Sequence, residues 1–176
     1  MKGTIHYCLE ETIKHKYGQE AWGSCLDASN LSPDHSFGKQ ILQDLDESDS
    51  IDLFVNSAKT LHIELKQLFD DFGEYWSCSY APKMYPQFFE KAKSTKELLL
   101  GLDHIHQVVT SKKPGATPPR FQYEWQRDGQ LLVSYHSQRG LFELFESLLK
   151  GLDLQFNNKT IIKRPAENQL LLTFEA

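Results

Sequence analysis

The class of fold follows from residues 120–136, which read RFQYEWQRDGQLLVSYH. Apolar and polar side chains alternate on both sides of Asp128 and Gly129, with the period of a β-strand that has one buried face. An Asp-Gly pair between two such runs is typical of a hairpin turn, because both residues tolerate the positive φ that tight turns require. The stretch therefore predicts two antiparallel strands joined by a short turn.

The sequence after this hairpin predicts one further helix and two further strands. Leucine and phenylalanine recur with helical spacing from Leu141 to Leu152, which indicates an amphipathic helix that packs on the sheet. Short strand patterns follow at residues 160–163 and 169–174. We therefore expect a C-terminal lobe with an antiparallel sheet and one packed helix.

The sequence before Pro119 is mostly helical. Apolar stripes with helical spacing cover residues 5–17, 22–26, 51–61, 65–72 and 85–92. Ser94 and Glu97 form the capping-box pattern that starts another helix, and the proline-rich segment 114–119 ends it. Together with the C-terminal lobe, this pattern predicts an α+β fold that has a helical N-terminal lobe.

Composition and charge indicate one globular domain and argue against several classes of protein. The 176 residues are 40% hydrophobic and carry a net charge of −5, which disfavours a protein that coats nucleic acid. No run approaches the roughly 18 apolar residues of a membrane helix, and the N-terminus lacks the apolar core of a signal peptide. Cys8, Cys25 and Cys78 are too few for a disulfide framework, so we expect a cytoplasmic protein. The charge and the absence of long apolar runs lead us to expect no nucleic-acid or membrane partner.

The helix predicted over about residues 94–111 carries two histidines that point about 200° apart. His106 shares its face with Leu99 and Leu102, whereas His104 lies on the more polar side and is expected at the surface. A histidine among apolar neighbours is more often a satisfied core residue. The alternative is an axial ligand to a metal or to haem iron, for which neutral imidazole is the usual group. From this helix alone, both interpretations of His106 stay open.

A second polar pattern lies at the end of the return strand. Strand alternation places Tyr135, Ser137 and Arg139 on one face, over about 13 Å. Two hydroxyls and a guanidinium fork suit the binding of carboxylates or phosphate, although a solvated strand edge has the same composition. The pattern gains meaning beside His106, because a haem requires an iron ligand and a group that binds its two propionates.

Considered together, five segments resemble the haem–nitric oxide/oxygen binding (H-NOX) domains, which occur as stand-alone bacterial gas sensors and as the haem domain of soluble guanylate cyclase. The matching segments are MKGTI at 1–5, FGEYW at 72–76, LDHIH at 102–106, GATPP at 115–119 and YHSQR at 135–139. The family's L-D-x-x-H histidine is the proximal haem ligand and falls on His106. Its Y-x-S-x-R signature binds the propionates and falls on Tyr135, Ser137 and Arg139.

The resemblance covers essentially the whole chain and implies a noncovalent haem b between two lobes. These would be a distal helical lobe over residues 1 to about 65 and a proximal lobe over about 66–176. In the family, the last proline of the G-A-x-P-P segment presses on the macrocycle and distorts it, and here that residue is Pro119. Ile5 is expected to press on the haem as well, and Leu102 to line its pocket.

The expected gas ligand depends on the distal pocket. Some bacterial members have a tyrosine that donates a hydrogen bond to oxygen, and that position is Leu144 here. Such a bond is worth about 1.5–3 kcal/mol, whereas nitric oxide binds ferrous iron strongly without it. A pocket lined by Ile5, Leu9 and Leu144 therefore favours nitric oxide, unless the indole N–H of Trp76 points inward. An oxygen or carbon monoxide sensor, and a haem-free interaction module on the same fold, are the alternatives.

The chain is expected to transmit a signal rather than to catalyse a reaction. It contains no kinase or cyclase sequence and no nucleophile motif such as G-x-S-x-G. Nitric oxide weakens the bond trans to it, so release of His106 would let the two lobes rotate as a ligand-biased switch. The resemblance implies that the partner is a separate signalling protein, such as a histidine kinase or a cyclic-di-GMP enzyme.

Overall fold

The computed structural model describes residues 3–31, 37, 47–111, 117–127, 129–137 and 141–175, with side chains from residue 50 onward in the segment that starts at 47. The helices are α1 Gly3–Tyr17, α2 Gln19–Ala28, α3 Glu47–Thr60, α4 Leu65–Tyr75, α5 Ala81–Met84, α6 Pro86–Phe89, α7 Thr95–Thr110 and α8 Phe142–Phe156. A π-helical turn, Trp76–Tyr80, joins α4 to α5. The strands are β1 Arg120–Arg127, β2 Gln130–His136, β3 Thr160–Ala166 and β4 Gln169–Phe174. The predicted α+β class is confirmed.

The strands form an antiparallel sheet in the order β1-β2-β4-β3. In the predicted hairpin, Phe121 of β1 pairs with Tyr135 of β2. Gly129 at the turn has a φ of +74°, which glycine adopts without steric cost. The other turn residue, Asp128, and residues 114–116 of the proline-rich segment lie outside the described residues.

Strand β3 runs to Ala166, beyond the predicted end at residue 163. The extension includes Pro165, although proline cannot donate a hydrogen bond to a strand ladder. The structure accommodates it because β3 is an edge strand and the pairing with β4 shifts register between Lys163 and Ala166.

Helix α7 begins where the sequence predicted. Ser94 Oγ accepts a hydrogen bond from the backbone N–H of Glu97 at 3.2 Å and so satisfies a donor of the first turn. The Glu97 carboxylate accepts from the backbone N–H of Lys93 at 2.8 Å, one residue before the position that a standard capping box uses. The backbone N–H of Thr95 donates to the side chain of Asn158 at 2.9 Å, which ties the start of α7 to the end of α8.

Helices α4 and α8 cross with their backbones in direct contact. A Cβ atom at Gly73 would overlap the carbonyl group of Ser147, and one at Gly151 would overlap the carbonyl group of Gly73. Glycine at both positions therefore lets the helices approach more closely than any side chain permits. The contact continues into the π-helical turn, where Ser77 Oγ donates to the carbonyl oxygen of Leu148 at 3.3 Å.

Helix α8 contributes to two hydrophobic clusters. The helical cluster lies among α1–α4, the π-helical turn and α8, and its buried members include Leu9, Phe54, Phe72, Tyr80 and Leu144. The sheet cluster lies among α7, α8 and the sheet, and its buried members include Leu99, Phe121, Tyr135, Phe145 and Leu172. Leu144 and Phe145 are consecutive in α8, so this helix contributes buried side chains to both clusters. The division into lobes near residue 65 stays a prediction.

Among the described residues, no helix has the length and apolar character needed to cross a bilayer.

Candidate functional site

Helix α7 turns His106 toward the sheet cluster and leaves His104 at the surface. His104 is exposed, whereas His106 is half-buried, with its ring centroid 5.6 Å from that of Phe121. Leu102, one turn earlier, packs against the same cluster. The two histidines therefore differ in burial as their helical spacing predicted.

Two side-chain contacts fix α7 to β1 close to His106. The Arg120 guanidinium donates to both carboxylate oxygens of Asp103, at 2.7 and 2.8 Å. This pairing holds the pKa of Asp103 below its ordinary value, and the backbone N–H of Phe121 adds a third donor at 3.3 Å. The Tyr123 hydroxyl donates to the carbonyl oxygen of Leu99 at 2.6 Å. No local sequence pattern predicts these contacts, because they depend on how β1 packs against α7 in the folded protein.

An aromatic group lies beside His106 in the sheet cluster. The Phe121 ring centroid lies 5.0 Å from that of Phe145 and 5.6 Å from that of Tyr135. The Tyr135 and Phe145 rings are stacked, with centroids 5.4 Å apart. Strand alternation could have identified Phe121, because it pairs directly with Tyr135 across the hairpin. His106 thus lies beside an aromatic group to which the sheet and α8 both contribute.

The residues predicted to bind propionates are described in part. Tyr135 lies near the end of β2, 8% exposed, on the same side of the sheet as Phe121. Ser137 directly follows β2 and is half-buried, while the intervening His136 is exposed. Arg139 lies outside the described residues. The alternation of Tyr135 and His136 matches the predicted face, and the binding role of the three residues stays a prediction.

The residues predicted for the distal pocket come together in the helical cluster. Leu9 is fully buried and Leu144 is 6% exposed, and half-buried Ile5 and Trp76 pack against the same cluster. Ile5 and Leu9 lie one turn apart on α1, whereas Leu144 comes from α8. Pro119 is half-buried directly before β1. The structure therefore gathers the predicted distal side chains from distant parts of the sequence.

Tyr80 joins this cluster, although the sequence analysis did not single it out. It closes the π-helical turn, is 7% exposed, and its ring centroid lies 5.2 Å from that of Trp76. Its hydroxyl oxygen is buried and has no hydrogen-bond partner among the residues that the structure describes. Burial raises the pKa of this phenol above its ordinary value. The signal available in the sequence was the spacing of Phe72, Trp76 and Tyr80, four residues apart.

The residues present fit a haem group. Haem needs an imidazole for its iron and a mostly apolar environment for its macrocycle. Half-buried His106 supplies the imidazole beside aromatic Phe121. Helix α8 supplies buried apolar side chains, among them Leu144. The buried Tyr80 hydroxyl adds a hydrogen-bond donor that no other described residue accepts. Together these groups offer the chemistry that a gas-binding haem requires.

Comparison with solved structures identifies the same architecture elsewhere. The I5F mutant of the T. tengcongensis H-NOX protein superposes with a TM-score of 0.88 at 20% identity, covering 100% of this chain and 98% of that chain. An oxygen-binding H-NOX domain related to soluble guanylate cyclases, solved as its oxygen complex, has a TM-score of 0.84 at 20% identity, covering 100% and 96%. At these identities the likeness shows the shared fold.

Sequence comparisons extend this result to the family. Soluble guanylate cyclase gcy-35 of Caenorhabditis elegans is 21% identical over 179 residues, which cover 96% of this chain and 25% of that protein. The chain thus spans about a quarter of the length of this relative. The family model described as Haem-NO-binding (HNOB) matches residues 2–164. Because that match covers nearly all of the sequence, the chain belongs to the haem-NO-binding, or H-NOX, family of haem-binding gas-sensor domains.

Proposed function

We propose that this protein senses nitric oxide at a noncovalent ferrous haem b and signals to a separate partner protein. The observation that carries the proposal is half-buried His106 beside Phe121 of the sheet cluster, with buried, apolar Leu144 in the adjoining helical cluster. Leu144 in that cluster replaces a tyrosine that oxygen-binding relatives of the family use. Nitric oxide needs no such donor, and this difference supports nitric oxide as the ligand.

The haem, when bound, supplies an iron that takes diatomic gases. His106 would hold that iron, and Tyr135, Ser137 and Arg139 would bind the propionates through their hydroxyl and guanidinium donors. Leu9 and Leu144, both buried, would keep water away from the gas-binding side. The protein's own contribution is therefore binding and selection, and we propose no catalytic role for it.

Helix α7 is positioned to transmit a displacement of His106 to the rest of the protein. It carries His106 and is fixed to β1 by the Asp103–Arg120 pair and by the hydrogen bond from Tyr123 to Leu99. A displacement of His106 would therefore move the sheet together with the helix. A partner that contacts either element would meet a different surface in the two states, which is the requirement for signalling. A histidine kinase or a cyclic-di-GMP enzyme is the class of partner that we propose.

Absorption spectra of the reduced protein before and after addition of nitric oxide test this function. The wild type should show a Soret band that shifts with nitric oxide. His106→Gly should lose haem or need added imidazole to retain it, whereas His104→Ala, a matched change at an exposed position of the same helix, should keep haem. Reversed phenotypes would overturn the ligand assignment. A wild type that takes up no haem would support the haem-free interaction module.

A further inference from the structure

The last turn of α7, which follows His106 directly, is built from weak helix formers. Residues 107–111 read QVVTS, and the run Val108, Val109 and Thr110 is β-branched, which lowers helix propensity. Helix α7 ends at Thr110, and the Val108 side chain is exposed, so burial of that residue does not hold the turn. Helix ends fray. The residue predicted to hold the haem iron therefore needs further contacts to keep its backbone in place.

Two hydroxyl groups supply such contacts at this end of the helix. Thr110 Oγ1 donates to the backbone carbonyl oxygen of His106 at 2.6 Å and also contacts the carbonyl oxygen of Gln107 at 3.5 Å. Ser111 Oγ donates to the carbonyl oxygen of Val108 at 2.8 Å. The last carbonyl groups of an α-helix lack N–H partners within the helix, so side-chain donors stabilise this end. The shortest of these bonds ends on the backbone of His106 itself.

The turn before His106 is fixed as well. Asp103, three residues earlier, accepts two hydrogen bonds from the Arg120 guanidinium of β1. The side-chain amide of Gln107 donates to the same carboxylate at 3.0 Å. This bond and the bond from Thr110 span overlapping turns of α7. The backbone of His106 is therefore held on both sides, by Asp103 toward the start of the helix and by Thr110 toward its end.

A second threonine of the chain shows what the same bond does where no ligand is expected. Thr12 Oγ1 donates to the carbonyl oxygen of Cys8 at 2.7 Å, four residues back in α1. Thr12 is buried in the middle of its helix, so this bond satisfies a hydroxyl in a segment that packing already holds. Thr110 is half-buried in the last turn of α7, where less packing holds the backbone. The Thr110 bond therefore contributes more to the position of its acceptor residue.

We propose that Thr110 is a positioning residue whose hydroxyl stiffens the last turn of α7 and thereby favours release of His106 from the haem iron when nitric oxide binds. The inference rests on the proposed haem function. Nitric oxide weakens the bond trans to it, so His106 stays attached only where its backbone can move toward the haem. A stiff turn resists that movement, whereas a turn that frays permits it. Thr110 would thus set how completely nitric oxide detaches α7 from the haem.

The spectroscopic test compares the wild type with Thr110→Val, which keeps the side-chain shape and removes the donor. Absorption and electron paramagnetic resonance spectra of the nitric oxide complex distinguish six-coordinate from five-coordinate haem. Thr110→Val should raise the ratio of six- to five-coordinate complex by roughly 2- to 12-fold, the factor that one typical hydrogen bond gives. Resonance Raman spectra of the unliganded ferrous protein should show a higher iron–histidine stretching frequency, because a looser turn strains that bond less.

Two further variants separate the hydroxyl from packing. Thr110→Ser retains the donor and should restore both spectra to those of the wild type. Thr12→Val removes the same kind of bond from α1 and should leave both spectra unchanged. Hydrogen exchange at the amides of residues 107–111 measures the stiffness of the turn with or without haem. Exchange there should be roughly 2- to 12-fold faster in Thr110→Val, and unchanged in Thr110→Ser and Thr12→Val.

The outcomes distinguish this inference from the proposed function. A wild type without a Soret band would overturn the proposed function and the inference with it. Haem binding with an unchanged nitric oxide complex and an unchanged iron–histidine frequency in Thr110→Val would overturn the role of Thr110 alone. Thr110→Ser that behaves like Thr110→Val would assign the effect to packing and reject the hydroxyl. If Thr110→Val retains no haem, exchange decides: unchanged exchange in the last turn would also reject the role of Thr110.

Discussion

At the residue scale, burial separates the two histidines of α7 and also identifies Tyr80. His104 and His106 stand two positions apart on α7, and their helical spacing sufficed to predict which one faces the interior. Tyr80 could not be identified in the same way. A tyrosine on an apolar stripe is typical of a hydrophobic core, and only the packed structure shows that its buried hydroxyl has no partner among the described residues.

The propionate residues yield a prediction about haem retention. Arg139→Ala should raise the haem dissociation rate more than Ser137→Ala does. A guanidinium that faces a carboxylate makes charge-assisted bonds about twice as strong as those of a neutral hydroxyl. Transfer of haem to an excess of apomyoglobin measures the rate. Equal retention by the wild type and by a variant with alanine at 135, 137 and 139 would contradict this assignment.

The Asp103–Arg120 pair predicts an acid-sensitive attachment of α7. The pKa of Asp103 is lower in the folded protein than in the unfolded chain, because the carboxylate accepts hydrogen bonds from Arg120. Its contribution to stability is therefore present above the unfolded pKa and is lost as the pH falls through the folded pKa. Asp103→Asn should be less stable than wild type near neutral pH, and the difference should shrink on acidification.

Thermal unfolding at a series of pH values checks this expectation. Asp27→Asn, at an exposed position of α2, is the matched control and should follow the wild type throughout. A constant difference between Asp103→Asn and wild type across the acidic range would show that the carboxylate charge does not stabilise the attachment.

At the element scale, local sequence patterns were sufficient to predict helices and strands. Contacts between elements that are distant in the sequence could not be predicted from these patterns. The capping residues of α7 and the alternation of β1 and β2 are local, and both elements form where the sequence predicted. The crossing of α4 and α8 depends on Gly73 and Gly151, which are far apart in sequence and look ordinary within their helices. Likewise, the apolar spacing of Trp76–Tyr80 fits both an α-helix and a π-helix, so the sequence alone does not indicate the π-helical turn.

The α4–α8 crossing predicts a large effect of a small substitution. Gly73→Ala should destabilise the protein by about 1–3 kcal/mol, because its Cβ would meet the backbone of Ser147, which cannot move without separating the helices. Gly23→Ala in α2 is the matched control. A Cβ there meets nothing within 4 Å, so it should stabilise the helix by about 0.5–1 kcal/mol. Urea unfolding measures both, and equal stability of the two variants would contradict the close contact.

At the scale of the whole molecule, α8 couples the two clusters. Leu144 and Phe145 are neighbours in the chain and belong to different clusters, while the Asp103–Arg120 pair fixes α7 to β1 of the sheet. We therefore expect a displacement of side chains in the helical cluster to reach the sheet through α8. This arrangement could not be predicted from the strand and helix patterns, because each pattern describes one element and its own buried face.

Signalling in trans gives the prediction for the whole molecule. If the unliganded and nitric oxide forms bind a partner with energies that differ by about 1–3 kcal/mol, the partner's activity should change roughly 5- to 150-fold at saturation. The assay is autophosphorylation of a histidine kinase, or turnover by a cyclic-di-GMP enzyme, from the same organism, titrated with each form of the sensor. His106→Gly reconstituted with imidazole is the control, because its gas site is retained while α7 is no longer attached to the iron. It should bind the partner without transmitting nitric oxide binding, and equal partner activity with both wild-type forms across the titration would exclude that partner.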